Sequence, residues 1–179
     1  GPDDIAVVGA GNMQDMYELP LRYKEAQVPY IFDPGQQIPA LPRETLLSSI
    51  TGSRLLICND YEIELICDAL NCDKDYLLKL TDGIITTLGE QGCLIEENGC
   101  EPVHIPAVPV AKAVEPTGCG DAFRAGLVFG LTQGQDLPAA ARLGSTAASF
   151  CVEHFGTQEH CFSMDEFIKR HREAYCSEC

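Results

Sequence analysis

A glycine-rich turn ahead of a predicted helix is the segment of this sequence best suited to holding an anion. The run Glu115–Gly126 places Gly118 and Gly120 on either side of a cysteine, with Asp121 immediately after them. Backbone N–H groups in such a turn point together at a negative group, and the helix dipole adds positive potential there. A glycine-rich turn followed by an acidic residue is also ordinary helix-capping chemistry, so both interpretations stand on the residues alone.

Two further motifs follow predicted strands. The run from Asn59 to Glu62 reads Asn-Asp-Tyr-Glu, and the run from Thr87 to Gly92 reads Thr-Leu-Gly-Glu-Gln-Gly. The first could organise a cation, but it is also a typical capped helix start. The second could line a nucleotide, but Gly89 and Gly92 equally suit a tight turn between strands.

The elements that must position these motifs alternate between strand and helix, which is typical of a parallel α/β sheet. Ligands of such sheets bind beyond the carboxyl ends of the strands, where these motifs and residues 33–37 fall. The pattern predicts strands at residues 5–10 (buried), 28–32, 54–58 and 83–88, and a hairpin of 92–96 with 101–105 around Asn98-Gly99. It predicts helices at residues 13–26 (interrupted at Pro20), 43–50, 61–70, 73–80, 121–131, 137–152 and 164–171.

Composition narrows the class of protein. The 179 residues include 12 Lys and Arg against 27 Asp and Glu, a formal net charge of −15. This charge argues against binding to nucleic acid or to an anionic membrane surface. No apolar run reaches the roughly 18 residues that span a bilayer. Ten cysteines, several of them inside apolar runs, predict a reducing, cytoplasmic setting with mostly inert thiols.

The segment from Thr117 to Gly126 resembles the second signature of the ribokinase (PfkB) family of carbohydrate and nucleoside kinases, whose core is Asp-Thr-x-Gly-Ala-Gly-Asp. The central Cys, and the Arg three residues after the Asp, look closest to the bacterial adenosine-kinase-like branch. The run from Asn59 to Glu62 is similar to the family's Asn-x-x-Glu, and that from Thr87 to Gly92 to its Thr-x-Gly-x-x-Gly loop. Segments 33–37 and 156–160 also resemble that branch, and all these motifs occur in the family's order.

The resemblance implies an ATP-dependent transfer of the γ-phosphate to a hydroxyl of adenosine or a related sugar or nucleoside. Asp121 would then be the general base, and the N–H groups of Gly118, Cys119 and Gly120 would form an oxyanion hole for the transferring phosphoryl group. Glu62 with Asn59 would position Mg²⁺ through waters. The residues implied to bind the nucleotide are Thr87, Gly89, Gly92, Asn59, Thr117 and His160.

The implied fold is a ribokinase-like three-layer sandwich with a mostly parallel central sheet, and residues 1–179 are predicted to form a single domain of it. The family's N-terminal strands, lid, acceptor-binding Asp and Gly-Gly motif have no counterpart here, so the chain is expected to be the C-terminal part of a longer kinase. The first strand would then be an unpaired edge. The expected partners are a small-molecule substrate and either a second copy of the chain or an N-terminal partner segment.

Three departures from the family pattern lie in the glycine-rich turn. Glu115 replaces the usual Asp and keeps its charge, Pro116 replaces Thr and loses a hydroxyl, and Cys119 replaces Ala. Only the backbone N–H of Cys119 would be needed to bind an anion. Arg124, three residues after Asp121, is predicted to pair with Asp121 or a phosphate, or to lie solvated on the surface.

Other interpretations remain open on the residues. One is a nucleotide-binding fragment without turnover, because the acceptor half is missing. Another is a dinucleotide-binding module, although the run from Gly9 to Asn12 lacks the third glycine of that fingerprint. A zinc site would need Cys176 and Cys179 with His160 and Cys161, but no second cysteine pair has ligand spacing. A frayed C-terminus is the favoured interpretation of that tail.

Overall fold

The computed structural model describes residues 4–175, which divide into two compact units. The first unit runs to Leu88 and includes Leu94–His104, and the second contains Gly89–Cys93 and continues from Ile105. No helix in residues 4–175 is both long and apolar enough to cross a bilayer. The assignment of residues 1–179 to one domain stays a prediction.

A six-stranded sheet contains its strands in chain order, from β1 to β6. The first four strands are parallel, as predicted, because each neighbouring pair is joined by a connection that contains a helix. The predicted hairpin is present as two neighbouring strands joined by residues 98–102. The strands are β1 (Ala6–Val8), β2 (Tyr30–Phe32), β3 (Leu55–Asn59), β4 (Gly83–Thr87), β5 (Cys93–Glu97) and β6 (Val103–Ile105).

The first strand lies at one edge of this sheet and pairs only with β2. The expectation that the whole apolar run is buried is therefore wrong for Val7, whose exposed fraction is 41%. Ala6 and Val8 bond toward the β2 side through Pro29 and Asp33. Because alternate residues of a parallel strand bond to opposite sides, the N–H and C=O of Val7 face the open edge.

The predicted helices are all present, with changes mostly at their ends. The fourth is shorter than predicted, the last continues four residues beyond 171, and two short 3₁₀ helices, Gly35–Ala40 and Gly89–Gln91, were not predicted. The α-helices are α1 (Met13–Glu25), α2 (Arg43–Ile50), α3 (Asp60–Leu70), α4 (Lys74–Leu78), α5 (Cys119–Thr132), α6 (Leu137–Val152) and α7 (Met164–Tyr175).

Helix α1 runs through Pro20, contrary to the predicted interruption. A proline inside a helix removes the N–H that would bond to the carbonyl four residues earlier, here that of Met16. The hydroxyl of Ser49, on α2, donates to this carbonyl at 3.1 Å. A partner distant in sequence thus satisfies the freed acceptor, and the helix continues with Pro20 itself buried.

The core of the first unit lies between the sheet and helices α1, α2 and α3. Met16, Leu46 and Ile66, one from each helix, pack in one cluster with the β2 and β3 side chains of Phe32 and Leu56. All five are almost completely buried. Burying a side chain of this size contributes about 1.5–3 kcal/mol, so this cluster holds the helices that follow β1, β2 and β3 in place.

The second unit is dominated by the packing of α5 against α6. At Gly126 a Cβ atom would lie 2.5 Å from the carbonyl oxygen of Leu143, so the two backbones meet with no side chain between them. Such close packing leaves α5 little freedom to shift or rotate. The N-terminal turn of α5, which carries the glycine-rich motif, is therefore presented on a fixed helix.

Candidate functional site

The N-terminus of α5 has no side-chain cap. Its N-cap residue, Gly118, has a φ of 88°, and a Cβ there would lie 3.0 Å from the Cα of Thr157. The N–H of Cys119 donates to the carbonyl of Pro116 at 3.0 Å. The N–H groups of Gly120 and Asp121 lie in the first turn, where a helix supplies no acceptor of its own. They are therefore the donors in this turn that suit an external anion.

Space for such an anion is available at Gly120. A Cβ built on Gly120 would meet no other atom within 4 Å, and the φ of this residue is outside the left-handed region. The glycine is therefore required neither by backbone strain nor by packing within the chain. The absence of a side chain at Gly120 therefore matters only for a ligand that approaches the turn from solvent.

Asp121 is exposed, with 74% of its side chain accessible, and its carboxylate pairs with the guanidinium of Arg124. Arg124 is mostly buried and also makes contacts beyond this pair. Of the three alternatives that the i,i+3 spacing left open for Arg124, the structure shows the pairing with Asp121. Asp121 is therefore the carboxyl group placed to act as a base toward a group that reaches the α5 N-terminus.

The turn that precedes α5 is tied to Gly156 by Glu115. The carboxylate of Glu115 accepts a hydrogen bond from the hydroxyl of Thr117 and another, at 3.0 Å, from the N–H of Gly156. Both bonds favour the charged form and hold the pKa of Glu115 below its usual range, the Thr117 bond more strongly. The substitution of Glu for the family's Asp therefore keeps a role in shaping the turn.

Two thiols, one on α5 and one on α6, link the same turn to α6. Cys151, which is fully buried, has its Sγ 3.6 Å from the carbonyl oxygen of Thr117. The Sγ of Cys119 is 3.8 Å from the carbonyl oxygen of Ala148. Burial, with a smaller contribution from Cys151, raises the pKa of Cys119 to about 12, so this thiol stays protonated at neutral pH. Its contribution to an anion site can only be through its backbone.

His160, predicted to bind the nucleotide, has an unsatisfied polar atom. Its Nδ1 is buried and has no hydrogen-bond partner in the described chain, while its ring stacks at 6.2 Å on Phe162. A buried ring nitrogen without a partner is uncommon and costly, which makes it a suitable contact for a polar ligand. His154, by contrast, has its Nδ1 2.9 Å from the carbonyl oxygen of Phe150, an ordinary structural contact.

In the first unit, Asn59 and Glu62 form a capping box at the start of α3. The Asn59 side chain accepts from the N–H of Glu62 at 2.7 Å, and the Glu62 carboxylate accepts from the N–H of Asn59 at 2.8 Å. Thr87 lies opposite Asn59 in the β3–β4 register, and its hydroxyl donates weakly to the carbonyl of Cys58 at 3.5 Å. The structure thus brings Asn59, Glu62 and Thr87 together at the carboxyl ends of two adjacent strands.

Gly89 and Gly92, the two glycines of the loop after β4, differ in how much space surrounds them. Gly92 has a φ of 91°, and a Cβ there would lie 2.0 Å from the carbonyl oxygen of Ile105, so folding alone requires this glycine. Gly89 has a φ of 57° but open space around it. Only Gly89 therefore has room for a ligand, although its backbone conformation also favours glycine.

Residues 4–175 contain no cluster of three or more His, Cys, Asp or Glu side chains that could hold a metal ion. Cys176 and Cys179, the terminal pair considered as zinc ligands, lie outside the described residues.

Comparison with known proteins identifies the family. The family model for pfkB family carbohydrate kinase matches residues 6–163. The chain belongs to this family.

The curated relatives that this chain resembles include nucleoside kinases and an adenosine kinase. The nucleoside kinase of Methanocaldococcus jannaschii is 34% identical over 139 residues, which cover 78% of this chain and 46% of that protein. The adenosine kinase of Saccharomyces cerevisiae is 25% identical over 87% of this chain and 46% of that protein. The chain therefore spans about half the length of these curated relatives.

A solved nucleoside kinase structure shows the same fold. The Burkholderia thailandensis nucleoside kinase in complex with inosine matches with a TM-score of 0.92 and 35% identity, over 96% of this chain and 57% of that one. The same kinase in complex with ADP-inosine also gives a TM-score of 0.92, over 54% of its chain. The predicted ribokinase-like α/β fold with a mostly parallel sheet is confirmed.

The residues present fit the ATP that pfkB-family membership implies. The open space at Gly120 and the unsatisfied Nδ1 of His160 are both features that a bound polar ligand explains. For Mg²⁺ the chain offers Glu62 and Asn59, fewer ligands than the ion requires. This fits the usual habit of Mg²⁺, which takes one or two protein oxygens and completes its shell with water and phosphate.

Sequence reasoning named segment 156–160 but did not connect Gly156 or Cys151 to the α5 turn. Both reach the turn from more than thirty residues away, at Glu115 and Thr117 respectively. No local pattern marks such partners, since the motif itself ends at Gly126. The one available signal was Glu115 itself, because a Glu where the family usually has Asp indicates that its carboxylate bonds to a partner outside the motif.

Proposed function

We propose that this chain supplies the nucleotide-binding and proton-accepting residues of a kinase that transfers the γ-phosphate of ATP to a hydroxyl of a nucleoside. One observation carries the proposal: the uncapped N-terminus of α5, with open space at Gly120 and an exposed Asp121 in its first turn. A helix end that serves only the fold usually has its donors satisfied by a cap, as α3 does.

The proposed chemistry assigns one role to each part of the turn. Asp121 accepts the proton of the attacking hydroxyl. The N–H groups of Gly120 and Asp121 stabilise the charge that grows on the transferred group, with Gly118 setting the angle at which the chain enters the helix. The N–H of Cys119 joins them if it leaves the carbonyl of Pro116. ATP supplies the phosphoryl group, and Mg²⁺ neutralises phosphate charge when both are bound.

The residues of the first unit are proposed to serve the metal. The capping box holds one carboxylate oxygen of Glu62 against the backbone, so the side chain has one orientation. Its second oxygen accepts no hydrogen bond within residues 4–175 and is proposed to bind a water of Mg²⁺. Thr87, Gly89, Thr117 and His160 are proposed as nucleotide contacts, whereas Gly92 contributes by keeping the loop in shape.

A nucleoside is the acceptor class that the relatives support. Nucleoside kinases match at 34% and 35% identity, and one of them is solved with inosine, whereas the adenosine kinase matches at 25%. Adenosine therefore remains one candidate beside inosine. The acceptor was predicted to be held by segments with no counterpart here, so its identity has to be measured on the full gene product.

A second proposal concerns the 179-residue chain by itself: it binds ATP·Mg²⁺ weakly and transfers no phosphate. Phosphoryl transfer depends on holding both reactants, so an acceptor that is not held gains little from Asp121. The open edge of β1, with Val7 exposed, is proposed to pair with an N-terminal segment or a second chain. We expect the isolated chain to be oligomeric or poorly soluble until such a partner is present.

Two measurements test these proposals. Mass spectrometry of the chain titrated with ATP·Mg²⁺ or with NAD should show binding of ATP only. Coupled ADP release should then be followed with adenosine, inosine and ribose, using the full gene product and the 179-residue chain side by side. Turnover only by the full product supports both proposals. A monomeric 179-residue chain that turns over adenosine would contradict the second, and ADP release only with ribose would contradict the nucleoside assignment.

A further inference from the structure

The C-terminal end of α3 brings two cysteines together by its backbone geometry. Asn71 follows the helix in the left-handed conformation, with a φ of 49°, and its N–H donates to the carbonyl of Asp68 at 3.1 Å. The N–H of Cys72 donates to the carbonyl of Cys67 at 3.0 Å. This pair of bonds is the Schellman motif, which places Cys72, the residue after the left-handed one, against Cys67, three residues before the last residue of the helix.

In most proteins this contact joins two apolar side chains, but here both side chains are thiols. The thiols of Cys67 and Cys72 hydrogen-bond to each other. Both are partly accessible and line one surface cleft of about 440 Å³ together with Asp68, Asn71 and Asp73. Cys58, Cys93 and Cys151 are buried instead, so a small reagent in solution reaches this pair more easily than it reaches them.

We propose that Cys67 and Cys72 form a reversible dithiol–disulfide site that reacts with small disulfides of the glutathione class. The backbone bond between the two residues holds their main chains close, which a disulfide requires and which most cysteine pairs lack. The site lies outside the residues to which the proposed kinase function assigns roles and does not depend on that function.

The surroundings give the two thiols different roles. Burial, and then the charge of Asp73, raise the pKa of Cys72, and the hydrogen bond from Cys67 and the charge of Arg43 offset only part of this rise. Burial and the contacts with Cys72 raise the pKa of Cys67 to about 11. Cys72 is therefore the thiol that attacks first, and Cys67 is its hydrogen-bond donor and then the resolving thiol.

The reaction balances in two exchange steps. The Cys72 thiolate attacks one sulfur of the small disulfide, forms a mixed disulfide and releases the first thiolate. Cys67 then loses its proton and attacks the Cys72 sulfur, which closes the Cys67–Cys72 bond and releases the second thiolate. The chain is oxidised by two electrons, the small disulfide is reduced to two thiols, and the two protein protons end on those thiols. The second step should accelerate about tenfold per pH unit below the pKa of Cys67.

Peptide mapping can test the pair directly, because Asp68 lies between the two cysteines. The chain carrying Cys176→Ser and Cys179→Ser, which removes the terminal Cys-x-x-Cys, is incubated folded with oxidised glutathione and then alkylated. A protease that cleaves before aspartate separates residues 60–67 from 68–72 unless a disulfide joins them. We expect joined fragments, about 2 Da lighter than the two reduced fragments together, which dithiothreitol separates again.

Two comparisons distinguish a fold-directed site from ordinary thiol oxidation. The same chain unfolded in urea should form the joined fragments at least about tenfold more slowly, since the Schellman bonds are then absent. Cys67→Ser should leave glutathione bound to Cys72, whereas Cys67→Ala should also slow that first step about fivefold, the usual worth of one hydrogen bond.

Three results would overturn the proposal. They are equal closure rates in the folded and unfolded chains, a mixed disulfide on the unsubstituted Cys72 that never closes, and oxidation confined to the exposed Cys100 and Cys161. In each of these cases the two thiols would be only the apolar contact of a Schellman motif. The comparison of folded with unfolded chain needs no substitution at Cys67 or Cys72, so it stands even if those variants do not fold.

Discussion

Helices α3 and α5 both begin at a polar motif, but their N-termini are built in opposite ways. At α3 the side chains of Asn59 and Glu62 satisfy each other's backbone N–H groups. At α5 the N-cap is Gly118, which has no side chain to offer, and a Cβ at Gly120 would find open space. A helix end that closes on itself is complete within the fold, whereas one left open has donors available to a ligand.

The largest expected effect comes from a substitution at the open N-terminus of α5. In the full gene product, Asp121→Asn should lower kcat by about 10²–10⁴-fold, the usual cost of losing a general base. Asparagine keeps the size of the side chain, and the N–H groups of the turn are unchanged, so ATP binding should change little. Steady-state ADP release and a separate ATP titration measure the two quantities. A variant that retains more than about a tenth of the turnover would remove Asp121 from the role of base.

Gly120→Val tests whether the open space itself matters. The Cβ of the new side chain would meet no atom of residues 4–175 within 4 Å and the φ of this residue suits any amino acid, so unfolding free energy should change by no more than about 0.5 kcal/mol. ATP binding should nevertheless weaken at least about tenfold, because the side chain occupies the approach to the N–H groups.

Cys119→Ala is the matched control for that substitution. It keeps the backbone N–H and removes only a thiol that packs beside the carbonyl of Ala148. ATP binding should stay within about twofold of the parent chain. Equal losses in Cys119→Ala and Gly120→Val would mean that the thiol, rather than the open backbone, carries the binding.

At the capped N-terminus of α3, two substitutions distinguish the helix-capping role of Asn59 and Glu62 from a role in binding Mg²⁺. Asn59→Ala removes a cap and should lower the unfolding free energy by about 1 kcal/mol. Glu62→Gln keeps a side-chain oxygen for the N–H of Asn59 but loses the charge, so stability should stay within about 0.5 kcal/mol. If Glu62 also serves the metal, Glu62→Gln in the full gene product should raise the Mg²⁺ concentration for half-maximal activity about three- to tenfold. An unchanged Mg²⁺ requirement would leave Asn59 and Glu62 with capping alone.

The contrast between the two helix ends also marks how far sequence reasoning reaches. The parallel sheet and the helices followed from periodicity and from Gly, Pro and Asn at the boundaries, because those signals are local. The capping box was predictable for the same reason, since Asn59 and Glu62 are three residues apart. What was missed depends on distant partners: Ser49, which bonds the carbonyl that Pro20 leaves free, and Gly156, which bonds Glu115. Their positions are set by how the helices and loops pack, which no window of sequence contains.

The smallest expected effect concerns that distant link between Glu115 and Gly156. The hydrogen bond from Thr117, and to a lesser degree the one from Gly156, holds the pKa of Glu115 in the folded chain below its usual range. A carboxyl group with a depressed folded pKa contributes stability that is fully present above its unfolded pKa and is lost as the pH falls through the folded value.

Glutamine at position 115 can still accept the hydrogen bond from the N–H of Gly156 but cannot titrate. The Tm of the parent chain should therefore exceed that of Glu115→Gln slightly at pH 7, and the difference should shrink as the pH is lowered from about 5 to 3. Differential scanning fluorimetry of the two chains across this range measures the difference, and subtraction cancels the other carboxylates that both chains share. A difference that stays constant with pH would show that the Glu115 charge does nothing for the turn, and that the open end of α5 is shaped by Gly118 and the packing of α6 alone.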